Sequence, residues 1–457
     1  MKITVKRAGV IYILILAFLA GVVLLMSDIV VNGEKWATGK LSRHFSYETD
    51  ISEIIDINGT VLVVNKDSER IYIDNAAVRT ATLHIIGDRP GRIDTGIGTL
   101  YNAIPDGYNI VDGIYNLRGD DLGGVATVTL NIDSKANVVA YEALKNYKGA
   151  VAVYNYETGQ LLCSVSTPCF DPENVPDDLD ETSAKYDGVY IDRVTRGTYT
   201  PGSIMKIVTA ACAIENIPDI YERTFVCEGE YKTGDGKVIC NGTHGEQNFE
   251  KAMNNSCNCA FAEISIELGA EKLQEYAESL GFNETLYAGE IRLTTSYFTP
   301  STVSKTELGW AGIGQSTTRV TPAYFLSLCG AIANKGTGYA PDRLMRFDTS
   351  AGKEIVRNPK AIVNMNPDTA EKLIELLRSN VRDKYGDDRF PGLEMCGKTG
   401  TAQLDGKDSH SWFVGFSIKK GLPLAVVCIA ENGGWGSQAA TEIANAVMQY
   451  FAENFNQ

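Results

Sequence analysis

The sequence predicts an α+β fold, in which an antiparallel sheet is covered by helices and carries an all-helical lobe, preceded by a small β-containing domain and one transmembrane helix. Three observations carry that prediction. Strand-like segments occur at 150–154 and 161–165 and again near 395–403, 412–418 and 422–430, with helical patterns between the two groups. Short alternating stretches broken by Gly, Asn and Asp fill residues 32 to 124. Residues 9–26 form an 18-residue run without a charged side chain, close to the length a helix needs to cross a bilayer.

Lys2, Lys6 and Arg7 precede the apolar run, and Asp28 and Glu34 follow it. This asymmetry favours a cytoplasmic tail at 1–8, an anchor at 9–27 and an external body. A cleaved signal peptide competes with the anchor, but the run exceeds a usual signal core and no small-x-small site follows Met26. The body divides into a membrane-proximal domain, 28–128, and a larger domain, 129–457. In the first, 54–64 reads as a hairpin with an Asn58-Gly59 turn, followed by strand candidates at 71–73 and 82–86. In the second, Asp133 is a suitable N-cap for a helix reaching Tyr147, and Glu157-Thr158-Gly159 joins the first two strands. The acidic stretch 171–180, with Pro172 and Pro176, reads as an exposed loop. Helices dominate from 203 to 280, interrupted by a Gly-rich hairpin at 229–236. The last helix, 437–455, places Ile443, Val447, Tyr450 and Phe451 on one stripe that can cover the sheet.

The chain has 457 residues, 44% of them hydrophobic, and a formal net charge of −15. That length allows two or three domains. An acidic bulk without basic clusters argues against nucleic acid as a partner. Gly96-Ile97-Gly98 lacks the strand–turn–helix frame of a nucleotide loop, and no cofactor is expected. The ten cysteines show no framework spacing. Cys212, Cys329 and Cys428 sit in apolar runs, and Cys257, Cys259 and Cys396 read as packing residues. Cys227 and Cys240 bracket the Gly-rich hairpin and could face each other as a disulfide or as a close thiol pair. With His244 these two lack a fourth ligand, so no metal site is expected. Trp310, Trp412 and Phe413 read as core.

Chemistry concentrates in three strings: Ser203-Ile204-Met205-Lys206, Ser256-Cys257-Asn258 and Lys398-Thr399-Gly400. Each recurs or is weak alone. Ser-x-x-Lys also stands at Ser350/Lys353 and Ser417/Lys420, and Lys-Thr-Gly at Lys232-Thr233-Gly234. The copy at 350 reads as a turn, the one at 417 as a strand end, and the one at 232 as a hairpin tip. Only Ser203 follows Pro-Gly and opens an apolar run, 204–214, suited to a buried helix on which Ser203 and Lys206 share a face. A serine hydroxyl needs a base to accept its proton. The four histidines, His44, His84, His244 and His410, suggest no Ser-His-Asp set. Lys206 can serve if burial and a neighbouring cation such as Lys398 lower its pKa.

In their order and setting, the strings resemble those of penicillin-binding protein transpeptidases of the class B type, which carry no glycosyltransferase domain. The resemblance extends through the hairpin at 149–168, His244-Gly245, Gly312-Ile313-Gly314-Gln315, Val320-Thr321-Pro322, 331–336 and His410-Ser411-Trp412-Phe413-Val414-Gly415, and so covers roughly 131–457. The region before it resembles a reduced version of the family's N-terminal part.

The resemblance implies a transpeptidase domain of the β-lactamase-like fold. Ser203 would be the acylated nucleophile, Lys206 its general base and Ser256 a proton relay. Asn258 would bind the substrate amide and hold Lys206. Lys398 and Thr399 would engage the donor's terminal carboxylate, and Gly400 would permit close approach of substrate. Thr401 would pair with substrate as an added strand, and the backbone N–H groups of Ser203 and Thr401 would form the oxyanion hole. Ligands would be peptidoglycan stem peptides ending in D-Ala-D-Ala and β-lactams, within the cell-wall synthesis machinery. The alternatives are a D,D-carboxypeptidase or β-lactamase-type hydrolase on the same scaffold, and a non-catalytic cell-wall scaffold or β-lactam sensor.

Overall fold

The computed structural model describes residues 11–12, 14–27, 51–66, 69–100, 126–179, 183–349, 354–356, 358–404 and 407–455. The chain forms two compact units. The smaller gathers Met1–Ser52, Tyr101–Thr127 and Phe347–Glu354 and contains a helix over 14–27. Among the described residues no helix is long and apolar enough to cross a membrane. Of the expected tail and anchor, 1–10 and 13 lie outside the described residues, as do 28–50 and 101–125 of the membrane-proximal region and the Ser-x-x-Lys copy at 350–353.

The larger unit comprises Glu53–Leu100, Val128–Arg346 and Ile355–Gln457. Its centre is a five-stranded sheet built from β1 (Gly149–Asn155), β2 (Leu161–Thr167), β3 (Met395–Leu404), β4 (Lys407–Ser417) and β5 (Leu424–Ala430). The order is β3-β4-β5-β1-β2, antiparallel throughout, with Lys398 opposite Val414 and Val414 opposite Val427. β1, β2 and β5 are buried along their whole length, which explains near-continuous apolar sequence in place of alternation.

Helices cover both faces. The elements used below are α1 (Ser134–Leu144), α2 (Lys206–Asn216), α3 (Asn258–Leu268), α4 (Pro322–Ala333) and α5 (Ala439–Asn454). Asp133 caps α1, accepting from the N–H groups of Lys135 and Ala136, and α1 ends at Leu144, before the expected Tyr147. On α5, Ile443, Val447 and Phe451 are buried against the sheet with Ala136, Ala140 and Leu144 of α1, while Tyr450 stays partly buried. α4 packs against the opposite face, and α2 and α3 belong to the helical lobe.

Within 53–100, Ile54 pairs with Val63 and Val63 with Tyr72, giving the expected hairpin and the next strand. Asp56 shapes the turn, accepting from the N–H groups of Asn58 and Thr60 through one carboxylate oxygen. The other accepts from Ser134 Oγ at 2.6 Å, tying this segment to α1. The strand expected at 82–86 is instead helical over Leu83–Ile86, following a helix at Ala76–Ala81 that Asn75 caps. All four residues of that turn are buried, so packing overrides the strand preference of a β-branched run. The loop over 171–179 is exposed along most of its length, as expected, and only its start is anchored: Arg79 holds Asp171 through two hydrogen bonds, at 2.7 and 2.6 Å.

Gly330 shows how closely α4 approaches the sheet. A Cβ there would overlap the Tyr154 hydroxyl and lie 2.6 Å from its Cζ, in a site where both elements are buried. Gly330→Ala is expected to cost about 1–3 kcal/mol through overpacking, read as a lower urea midpoint at constant slope. An unchanged midpoint would contradict this account of the α4–sheet contact.

Candidate active site

Ser203 lies in a 3-10 turn, Gly202–Met205, that runs directly into α2. Gly202 makes this possible twice over. Its φ is +56°, and a Cβ would stand 2.6 Å from the Thr401 carbonyl oxygen, so only glycine lets the turn press against β3. The apolar residues around it, Ile204, Met205, Ile207 and Val208, bury this end of α2 and draw Lys206 fully inside. There its Nζ lies 3.0 Å from Ser203 Oγ.

The second string sits at the start of α3. Cys257 occupies the N-cap position, and Ser256 before it has φ +51°, a left-handed conformation uncommon outside glycine. That turn points both the carbonyl and the hydroxyl of Ser256 at Lys206, at 2.6 and 3.1 Å from Nζ. Asn258 Oδ1 completes the set at 2.8 Å, and its Nδ2 donates to the Ile239 carbonyl at 2.9 Å.

Lys398 arrives from β3, also fully buried, with Nζ 3.0 Å from Ser256 Oγ and 3.0 Å from the Thr399 carbonyl. Two amines therefore share one hydroxyl oxygen. Burial pushes Lys206 down, and the nearby Lys398 cation adds to the effect, bringing it to about 7. Burial, with Lys384 contributing, brings Lys398 to about 7 as well. Both can lose a proton near neutrality, the range in which an amine works as a base.

β3 is the edge of the sheet. Thr401 faces Ser411 in the ladder, and its Oγ1 accepts from Gly436 N–H at 3.2 Å. Gly400 also has a reason within the fold: a Cβ would lie 2.8 Å from the Pro201 carbonyl and 3.1 Å from Ile204 Cγ2, so glycine accommodates the nucleophile's own turn. Beside Thr399 stands a residue that sequence reasoning missed. Tyr385 Oη accepts from Thr399 N–H at 3.0 Å, lies 2.9 Å from Thr399 Oγ1, and accepts from Asn380 Nδ2 at 3.0 Å. Asn380 also donates to the Gly397 carbonyl at 2.7 Å. Asn380 and Tyr385 share a face only because 380–385 is π-helical; an α-helical count separates them.

The groups open onto a cleft of about 200 Å³ whose lining includes Ser203, Asn258 and Thr401 together with Trp310, Asp408 and Trp435. Trp412 and Phe413 are core, as expected, with Trp412 Nε1 donating to the Thr200 carbonyl. Trp310 is not wholly core: it is half-buried and lines the cleft. The decoy strings fall elsewhere, Lys232-Thr233-Gly234 at the tip of the hairpin Glu230–Lys232/Lys237–Ile239, and Ser417 at the end of β4.

Behind Asn258, of the two readings open for Cys227 and Cys240, the structure has the close thiol pair and not the disulfide: all ten cysteines are free thiols. The missing fourth ligand is present as Cys257, since Cys227, Cys240, His244 and Cys257 bring their ligand atoms within 4.8 Å of one another.

A hydroxyl at a helix start, a buried low-pKa amine touching it, a second hydroxyl bridging two amines and a sheet edge beside them define a serine acyltransferase of the Ser-Lys class. The profile described as the penicillin binding protein transpeptidase domain matches residues 149–449. This chain belongs to the penicillin-binding protein transpeptidase family. It is 25% identical over 367 residues to the peptidoglycan D,D-transpeptidase PbpA of Mycobacterium tuberculosis, covering 72% of this chain and 73% of that one. Among solved structures, the D,D-transpeptidase domain of a peptidoglycan glycosyltransferase from Eggerthella lenta superposes with a TM-score of 0.73 at 26% identity, covering 89% of this chain and 99% of that one. The ceftriaxone acyl-enzyme of penicillin-binding protein A from M. tuberculosis gives 0.72 at 21%, covering 88% and 98%.

Tyr385→Phe removes the acceptor of the Thr399 N–H and is expected to destabilise the protein by about 1–3 kcal/mol, measured by denaturant unfolding. A neutral result would mean that this edge-strand group is satisfied without Tyr385.

Proposed function

We propose that this protein is a peptidoglycan D,D-transpeptidase, held in the cell membrane by the apolar segment 9–27 with its catalytic residues outside the cell. Residues 28–128 are the membrane-proximal part and 129–457 the transpeptidase domain. The 18 uncharged residues at 9–26, preceded by three cations, support the anchor. The observation that carries the activity is the convergence of Lys206 and Lys398 on Ser256 Oγ, with Ser203 Oγ 3.0 Å from Lys206.

In this mechanism neutral Lys206 takes the Ser203 proton as Oγ attacks the carbonyl of the penultimate D-alanine. The N–H groups of Ser203 and Thr401 stabilise the oxyanion, each worth about 2.7–4 kcal/mol. Ser256 passes a proton to the departing amine of the terminal D-alanine, leaving an ester on Ser203. An amine from a neighbouring stem peptide then attacks that ester, gives up its proton through the same relay, and forms the cross-link. Asn258 positions the donor amide. Lys398 and Thr399 receive the terminal carboxylate, and Thr401 offers its backbone for strand addition. A β-lactam acylates the same serine, but its leaving nitrogen stays tethered after ring opening, so the ester persists. The product places the enzyme among the cell-wall synthesis machinery.

Fluorescent penicillin is expected to label the wild type, with the labelling rate of Ser203→Ala lower by roughly 10³-fold or more. Equal labelling would overturn the assignment. Because a protonated lysine cannot act as base, the labelling rate should rise with pH through about 7, where Lys206 loses its proton. Lys398→Ala removes a neighbouring cation, so the midpoint of that profile should move to higher pH. A stationary midpoint would show that Lys398 does not tune the base.

A further inference from the structure

We propose that Cys227, Cys240, His244 and Cys257 bind one zinc ion, forming a structural metal centre directly behind the Ser256–Asn258 turn. The four come from separate places that the fold draws together. Cys227 ends the strand Phe225–Cys227, Cys240 follows the strand Lys237–Ile239, His244 precedes the strand Gly245–Gln247, and Cys257 caps α3. Cys227 stands opposite Gly245 in the ladder, which sets its thiol beside the neighbouring histidine.

The distances decide between pairing and metal binding. His244 Nδ1 lies 3.4 Å from Cys227 Sγ and 3.6 Å from Cys240 Sγ, and Cys240 Sγ lies 3.9 Å from Cys257 Sγ. A tetrahedral zinc with Zn–S of about 2.3 Å and Zn–N of about 2.0–2.1 Å has ligand–ligand edges of about 3.5–3.8 Å. These three edges bracket that range and all six lie within 4.8 Å, whereas a disulfide needs sulfurs about 2.05 Å apart. Three buried cysteines and one imidazole make a closed four-ligand set of soft donors, the composition of structural zinc sites. Cys259 lies beside the same thiols but outside the four-atom set. The surroundings suit a bound thiolate as well: Asn258 N–H donates to Cys240 Sγ at 3.2 Å.

The site has a consequence for the cleft. Asn258 is held from both sides of its residue, by its N–H on Cys240 Sγ and by its Nδ2 on the Ile239 carbonyl. A metal bonded to Cys240 and Cys257 would fix the distance between the end of that strand and the start of α3. It would thereby hold the left-handed Ser256 in place, and Asn258 with it. These residues position the Lys206 amine, so the metal acts on the chemistry only through geometry. This coupling rests on the transpeptidase reading; the metal site does not.

The test is the metal content of the full chain, purified in detergent with zinc supplied and without chelators. About one zinc per chain is expected in the wild type, and at least ~10-fold weaker retention in Cys240→Ser and Cys257→Ser, since losing a ligand costs no less than the 10–100-fold known for outer partners. Cys163→Ser and Cys428→Ser, buried elsewhere, should keep the metal. Cobalt loading should give a thiolate-to-cobalt charge-transfer band that Cys257→Ser lacks. Should the variants fail to fold, thiol titration of the wild type decides: three additional thiols should react after chelation. A folded wild type without zinc, retention in both ligand variants, or a Cys227–Cys240 disulfide by mass spectrometry would overturn the site. Penicillin labelling that slows on chelation and recovers with zinc is the expected sign of coupling to Ser256–Asn258. A zinc-loaded protein whose labelling ignores chelation would remove the coupling and leave the site.

Discussion

Two lysine amines buried around one serine hydroxyl set the constraint that the rest of the structure meets. Removing an ammonium from water is expensive, and the usual response is a lower pKa. Lys206 and Lys398 both respond in this way, to about 7, while the carbonyls of Ser256 and Thr399 and the Asn258 amide oxygen satisfy their N–H groups. An arrangement of this kind tolerates little slack. It demands that a helix start, a strained turn and a sheet edge hold their positions to within a hydrogen bond.

The fold supplies that rigidity through close backbone approaches. Gly202 lets the nucleophile's turn touch the Thr401 carbonyl, and Gly400 lets the same turn cross β3 from the other side. Tyr385 occupies the outward N–H of Thr399, so the sheet edge is covered there. At Ser256 the backbone departs from relaxed geometry, and strain of this sort persists only where surroundings over-determine it. The Asn258 bonds to Ile239 and Cys240 are part of that support.

Much of the fold was legible because its elements carry local signals. Asp133 announced α1 as an N-cap, the apolar stripe of α5 announced its contact with the sheet, and turn residues marked the hairpins. The misreadings share one cause. At 82–86 a β-branched run became a buried helical turn, Trp310 became a cleft wall, and Cys257 joined thiols 17 and 30 residues away in the chain. Each outcome was decided by neighbours distant in sequence.

The site divides along the same line. The amino-acid sequence alone determined which residues are the candidates for the chemistry, because Ser203 and Lys206 are neighbours on one helical turn, and the Ser256-Cys257-Asn258 and Lys398-Thr399-Gly400 strings are short and ordered. Tertiary structure alone decided that two of the amines meet at Ser256, that Gly400 serves the nucleophile's turn and that Tyr385 braces Thr399. It also decided that three thiols and an imidazole converge behind Asn258. The physical reason is range: helix periodicity and capping act over a few residues, whereas burial, pKa shifts and ligand geometry arise only when distant segments pack together.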